Sequence, residues 1–301
     1  VTTGVLVMAY GTPSSREGVA AYYTRIRHGQ PPSDEQLADL VRRYEAIGGH
    51  SPLTQRTLDQ VAALAATLEE REPGRFDVRF GSKYEPPLIE EAAATFRDDA
   101  VAEVVGLALA PHSSTMSTDQ YLSRAAAALG DAVDFRGVGA WWEAPGFLEL
   151  IARRVTDALA RLPADQRDST EVIFSAHSLP ERIVSAGDTY PDQLRESADR
   201  AARLAGVTRY DVAWQSAGRT TETWLGPDIL DVLAAKAAGG VTCVVSCPIG
   251  FVSDHLEVLF DIDVDAQRVA REVGITLVRT DSLNDDPGFI SVLADVVRGV
   301  A

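Results

Sequence analysis

Cysteine is nearly absent: Cys243 and Cys247 are the only two in 301 residues. They stand four apart in an apolar run, which suits buried, inert thiols better than a metal site needing further ligands. Two thiols also exclude an iron–sulfur cluster held by four cysteines of this chain. Long apolar runs are missing too. No stretch approaches the ~20 apolar residues needed to span a bilayer, and the amino-terminal segment lacks the charged, apolar and small-residue order of a secretory signal. A cytoplasmic protein without stable membrane insertion is expected. Basic residues number 28 against 44 acidic ones, a formal charge of −16. Such a field repels phosphate backbones and anionic lipid, so no nucleic-acid partner is expected. Also missing are the G-x-G-x-x-G fingerprint, the Walker A loop, the G-x-S-x-G elbow and the H-E-x-x-H helix, which removes the usual grounds for a nucleotide cofactor or a catalytic triad.

What is present alternates. Short apolar, β-branched runs at 5–9, 78–80, 104–110, 133–138, 172–176, 212–214, 241–247 and 275–278 read as strands. Amphipathic stretches at 54–72, 88–100, 118–129, 147–162, 191–205, 227–238, 254–272 and 287–300 read as helices. This order implies an α/β protein with mostly parallel sheets and helices on both faces. A polar stretch with one proline, 162–169, marks a boundary between halves 1–162 and 163–301. An internal echo supports two similar halves: Ala9-Tyr10-Gly11-Thr12-Pro13 resembles Ala176-His177-Ser178-Leu179-Pro180. A second pairs Leu109-Ala110-Pro111-His112 with Ser246-Cys247-Pro248-Ile249. Duplication would set Tyr10 and His177 facing one another across a cleft between the halves, a common place for ligands.

The chemistry centres on His177 and Glu257. Each follows an apolar run, so both are expected where strands end, which is where open α/β sheets bind ligands. A neutral imidazole facing a carboxylate takes up protons near neutral pH and holds transition-metal ions. Asp261 and Asp265 follow Glu257 at intervals of four, which keeps three carboxylates on one side of a helix. With the imidazole, this acidic ladder suits a divalent cation that binds, sheds water and moves on, although such a run is more often a solvated helix face. Arg25, Arg27, Arg42 and Arg43 flank glycine-containing turns at Gly29 and Gly48-Gly49, an arrangement able to hold ligand carboxylates through paired hydrogen bonds. His28, His50 and His112 fit ordinary loop or core positions.

Five segments together resemble the ferrochelatases, and among them the coproporphyrin ferrochelatases of monoderm bacteria. They are Met8-Ala9-Tyr10-Gly11-Thr12-Pro13, Arg43-Tyr44-Glu45-Ala46-Ile47-Gly48-Gly49-His50-Ser51-Pro52-Leu53, Ser175-Ala176-His177-Ser178-Leu179-Pro180, Gln215-Ser216-Ala217-Gly218-Arg219 and Val252-Ser253-Asp254-His255-Leu256-Glu257. The resemblance implies two Rossmann-like halves enclosing a porphyrin cleft, with His177 and Glu257 on one face of the macrocycle and Tyr10 on the other. It further implies that Arg27, Arg43, Ser51 and Tyr121 contact propionates from the first half. Asp261 and Asp265 would extend a cation path from Glu257, so that His177, Glu257, Asp261 and Asp265 handle the metal. Segment 29–52 is short and polar where protoporphyrin-using relatives carry a long apolar lip, which favours coproporphyrin III with its four propionates.

The expected activity is therefore insertion of ferrous iron into coproporphyrin III, with Fe2+ as substrate and no iron–sulfur cluster or nucleotide. His177 would accept pyrrole protons, Glu257 would orient and charge-balance it, and Tyr10 would approach the metal from the other side. A monomer is the default, specified by no residue pattern. The rival readings are a non-catalytic porphyrin or haem carrier, a ferrochelatase preferring protoporphyrin IX, and a cobalt or nickel chelatase of another tetrapyrrole.

Overall fold

In the computed structural model, which describes residues 2–301, the eight apolar runs are eight strands. In chain order the first elements are β1 (Thr3–Ala9), α1 (Val19–Ile26), α2 (Asp34–Ala46), α3 (Leu53–Arg71), β2 (Phe76–Ser82), α4 (Ile89–Asp98), β3 (Glu103–Ala108), α5 (Thr118–Leu129) and β4 (Asp134–Val138). There follow α6 (Phe147–Ala160), α7 (Ala164–Arg167), β5 (Glu171–His177), α8 (Arg182–Ser185), α9 (Tyr190–Leu204), β6 (Tyr210–Gln215) and α10 (Ile229–Ala238). The chain closes with β7 (Cys243–Cys247), α11 (Leu256–Leu259), a π-helical turn (Asp261–Ala266), α12 (Gln267–Val273), β8 (Thr276–Arg279) and α13 (Pro287–Arg298).

The strands form two four-stranded parallel sheets of identical topology, β2-β1-β3-β4 and β6-β5-β7-β8. Continuous apolar runs suit parallel strands, whose two faces are both covered by helices. On the first sheet Leu6 and Met8 share one core with Ile89 and Phe96 of α4 and Tyr121 of α5; on the second Ile173, Val244 and Leu277 share one with Leu233 of α10 and Ile262 of the π turn. At the ~25 cal/mol per Å² of buried apolar surface, such side chains contribute roughly 1.5–3 kcal/mol each.

The chain folds as two compact units. One holds the segment up to Trp141, Ser253–Leu256 and Leu283–Ala301; the other holds Trp142–Val252 and Glu257–Ser282. The crossing at Trp141/Trp142 lies ahead of the 162/163 division read from the sequence, because α6 packs on α9 and β7 of the second sheet. The carboxyl-terminal α13 returns to the first unit and packs on α3, where Arg71 Nη1 meets Asp295 Oδ1 at 2.8 Å. No helix among the described residues is long and apolar enough to cross a membrane.

The strand register does not hold both sequence echoes at once. Val104 pairs with Gly4, and Val244 with Glu171. Aligning Tyr10 with His177 therefore matches Ala110 to Gly250, not to Cys247. The likeness of the two Pro-containing strand ends is thus out of register with the duplicated sheet.

Candidate active site

His177 closes β5 and pairs in register with Gln215 at the end of β6. Its Nδ1 faces the Ser178 carbonyl. A carbonyl only accepts, so Nδ1 carries a proton and Nε2 is the nitrogen left for chemistry. Nε2 lies 3.5 Å from Glu257 Oε1, and the two side chains keep 34% and 31% of their surface open. Burial alone would lower the His177 pKa, but the Glu257 charge and hydrogen bond, the Ser178 carbonyl and the Asp261 charge together outweigh it and push the value up to about 9. At neutral pH the pair holds a proton as imidazolium beside carboxylate.

Glu257 does not end a strand as expected. β7 stops at Cys247, and Glu257 stands in the first turn of α11. The intervening loop doubles back on β5: the Gly250 N–H donates to the Ser175 carbonyl at 3.1 Å. A Cβ on Gly250 would sit 2.4 Å from Ala176 Cβ, so only glycine lets the loop pass directly against the residue before His177.

The single helix expected over 254–272 is broken. After α11 the Asp265 N–H reaches back five residues to the Phe260 carbonyl at 2.9 Å, the mark of a π turn. The extra residue reorients the acidic ladder. Asp261 accepts a hydrogen bond from Ser216 Oγ, and Asp265 turns to Arg268 Nη2 at 3.6 Å. Among the described residues no three His, Cys, Asp or Glu side chains converge as a metal cage. Of the residues expected to handle metal, His177 and Glu257 meet directly, and Asp261 adds its charge to that pair.

The other expected contacts belong to the first unit. Tyr10 follows β1, is 40% exposed, and meets the Tyr84 ring edge-on at 4.9 Å. Tyr121 is buried in the core on α5. Lys83 Nζ lies 5.9, 4.9 and 5.6 Å from the ring centres of Tyr10, Tyr84 and Tyr121, and donates to Gln120 Oε1 at 2.6 Å. Arg27 has a buried Nε with no hydrogen-bond partner among the described residues, and its guanidinium lies 5.8 Å from the Tyr23 ring centre. Arg43 Nε is 3.2 Å from Asp39 Oδ2, an i,i+4 pair on α2. Ser51 is buried, and its Oγ accepts from the Leu53 N–H at 3.3 Å at the start of α3. The structure thus gathers Tyr10 and Tyr121 around one cation and holds Arg27, Arg43 and Ser51 by separate local contacts.

Several residues were given no role of their own by the sequence reading. Gln215 and Ser216 hold the surroundings of Glu257 and Asp261, and Tyr190 Oη donates to the His177 carbonyl at 3.1 Å. Burial, with the charges of Glu257 and Asp188, raises the Tyr190 pKa and keeps the phenol protonated. The available signal was a glutamine ending the apolar run of β6, a polar residue at a position where the alternation gives no solvent face. Cys243 and Cys247 are buried free thiols, and burial, opposed only by a hydrogen bond to Thr280, pushes Cys247 up to about 12. His112 is buried and pushed down to about 3 by that burial, so it stays neutral.

The family profile described as Ferrochelatase matches residues 2–300. A ferrochelatase of Herpetosiphon aurantiacus is 44% identical over 300 residues, covering 99% of this chain and 98% of its own. Coproporphyrin III ferrochelatases of Geobacillus kaustophilus and Bacillus subtilis are 45% and 44% identical, with 98% of this chain and 95% and 96% of theirs covered. Among solved structures, the sirohydrochlorin chelatase SirB of Bacillus subtilis subspecies spizizenii superimposes with a TM-score of 0.58 at 11% identity, covering 100% of this chain and 96% of its own. CbiX, the terminal enzyme of sirohaem biosynthesis in denitrifying bacteria, gives 0.51 at 14% identity, with 99% of each chain covered. At those identities the likeness is one of fold alone, the two-sheet α/β fold of chelatases. A profile match from end to end, joined to identities of 44–45% over nearly the whole length of named members, shows that the chain belongs to the ferrochelatase family.

Proposed function

We propose that the chain inserts ferrous iron into coproporphyrin III, yielding iron coproporphyrin III for haem biosynthesis. The observation that carries this reading is the His177–Glu257 pair: Nε2 and Oε1 stand 3.5 Å apart at the end of β5 with both side chains part-exposed. Metal insertion requires two pyrrole protons to leave and ring nitrogens to tilt toward the entering ion. An approaching Fe2+ disfavours the imidazolium and drives off its proton, since metal ligands bind in their deprotonated form. With the imidazolium proton passed to water, the neutral Nε2 either binds the ion while both pyrrole protons leave to water, or takes the two pyrrole protons one at a time and releases each to water, while the Glu257 carboxylate balances the charge. Asp261 adds its charge to the acidic approach to the pair, and Asp265, held by Arg268, is assigned to the cation path beyond it.

Tyr10 is assigned to the metal-insertion machinery, and Arg27, Arg43, Ser51 and Tyr121 to the propionates. Arg27 has the firmest support, because its buried Nε lacks a partner among the described residues and an anionic ligand would supply one. Remote propionate contacts can offset the strain of a buckled macrocycle, typically roughly 1–5 kcal/mol. Relatives at 44–45% identity carry the name coproporphyrin III ferrochelatase, which supports the choice of porphyrin. The working form is a cytoplasmic monomer that uses neither nucleotide nor iron–sulfur cluster.

The test is anaerobic Fe2+ insertion followed by absorbance, with coproporphyrin III and protoporphyrin IX compared at equal concentration. A kcat/KM at least about tenfold higher for coproporphyrin III is expected, the difference that about 1.4 kcal/mol of additional transition-state binding supplies. Preference for protoporphyrin IX overturns the substrate, and porphyrin binding without turnover overturns the activity.

A further inference from the structure

Gln215 is 1% exposed, and both polar atoms of its side chain are hydrogen-bonded. Its Oε1 accepts from Ser175 Oγ at 2.8 Å, and its Nε2 donates to the Glu257 carbonyl at 2.8 Å. Its own carbonyl accepts from the Ser178 N–H at 2.7 Å. Ser175 and Ser178 bracket His177, the register partner of Gln215 across the sheet. One residue is therefore fastened on both sides of the imidazole and to the backbone of the carboxylate. The next residue continues the pattern. Ser216 takes a left-handed φ of 61° and gives its hydroxyl to the Asp261 carboxylate. A non-glycine residue holds that conformation only where its surroundings require it.

We infer that Gln215 is a positioning residue for iron insertion, setting the His177–Glu257 separation, with Ser216 extending the brace to Asp261. The inference rests on the reading that the His177–Glu257 pair receives the iron. Glu257 stands in the first turn of α11, where no preceding helical turn holds it. The bond from Gln215 Nε2 supplies an anchor to β6. A leucine at 215 has similar bulk but removes the bonds to Ser175 Oγ and to the Glu257 carbonyl. A glutamate keeps the acceptor for Ser175 but sets an oxygen against the Glu257 carbonyl. Outer groups that orient metal ligands in this way typically carry about 10- to 100-fold in affinity or activity.

The test measures anaerobic insertion by Gln215→Leu and Gln215→Glu, each alone and combined with Glu257→Gln. The expected result is a loss of about 10- to 100-fold in kcat/KM for Fe2+ with the KM for porphyrin unchanged, and little further loss once Glu257 is already replaced. If the leucine variant does not fold, the glutamate variant is read in its place. If Glu257→Gln leaves no measurable rate, the split between the two KM values decides. Wild-type kinetics, an equal rise in both KM values, or the same fold-loss in both backgrounds overturns the inference while the pair keeps its role. Full activity of Glu257→Gln overturns the reading of the pair, and the positioning role with it.

Discussion

Lys83 is a cation placed where its type is seldom found, among the rings of Tyr10, Tyr84 and Tyr121 with little solvent. Burial first, and the nearby Arg124 charge second, push its pKa down to about 8. The unfolded lysine titrates near 10.4, so below pH 8 the folded protein carries a charge that it disfavours. That destabilisation fades as the pH rises from about 8 toward 10.4. Lys83→Met is expected to raise Tm at pH 7 by about 2 °C, offset in part by the lost ring contacts and the bond to Gln120. The gain should vanish near pH 10; a gap independent of pH in calorimetry would contradict it. Neither the burial of Lys83 nor the contacts of Gln215 were legible in the sequence, because both types read as solvent-facing until their neighbours in space are known; Gln215 stood out only as part of a segment that carries the family resemblance. His177 was legible, because a titratable ring closing an apolar, β-branched run stands at the strand end where α/β sheets place their ligands.

At the scale of elements, all eight strands could be read, since parallel strands covered on both faces leave continuous apolar runs. The helix expected over 254–272 could not be read correctly. A spacing of four between Glu257, Asp261 and Asp265 is compatible with both an α-helix and a π turn, so the pattern gave no sign of the break at Asp261–Ala266. The break matters because it leaves Asp261 against Ser216 and turns Asp265 to Arg268. Asp261 is one of the charges that raise the His177 pKa, so it acts on the pair electrostatically. Asp261→Asn keeps an acceptor for the Ser216 hydroxyl and removes the charge. Roughly a tenfold rise in the KM for Fe2+ is expected, with the KM for porphyrin unchanged in steady-state assays. Equal values for variant and parent would remove Asp261 from the cation's approach.

Over the whole molecule, the repeated sheet order was foreshadowed by the Tyr10 and His177 echo, while the division of the chain was not. A polar stretch at 162–169 looks like a linker, yet it lies within the second unit, since the apolar stripe of α6 does not say which sheet it will cover. The return of α13 to the first unit is equally invisible in a linear reading. The net charge of −16 raises the local concentration of a divalent cation, although an acidic surface is more often only a solvated one. The second sheet, a doubled-back loop and a short helix bring together one imidazole and one carboxylate, and the account depends on that meeting. The most direct measurement is anaerobic iron insertion by His177→Ala at saturating Fe2+ and coproporphyrin III, with porphyrin binding followed by fluorescence in the same sample. The account expects a rate lower by at least about a hundredfold with binding retained; an unchanged rate would contradict it.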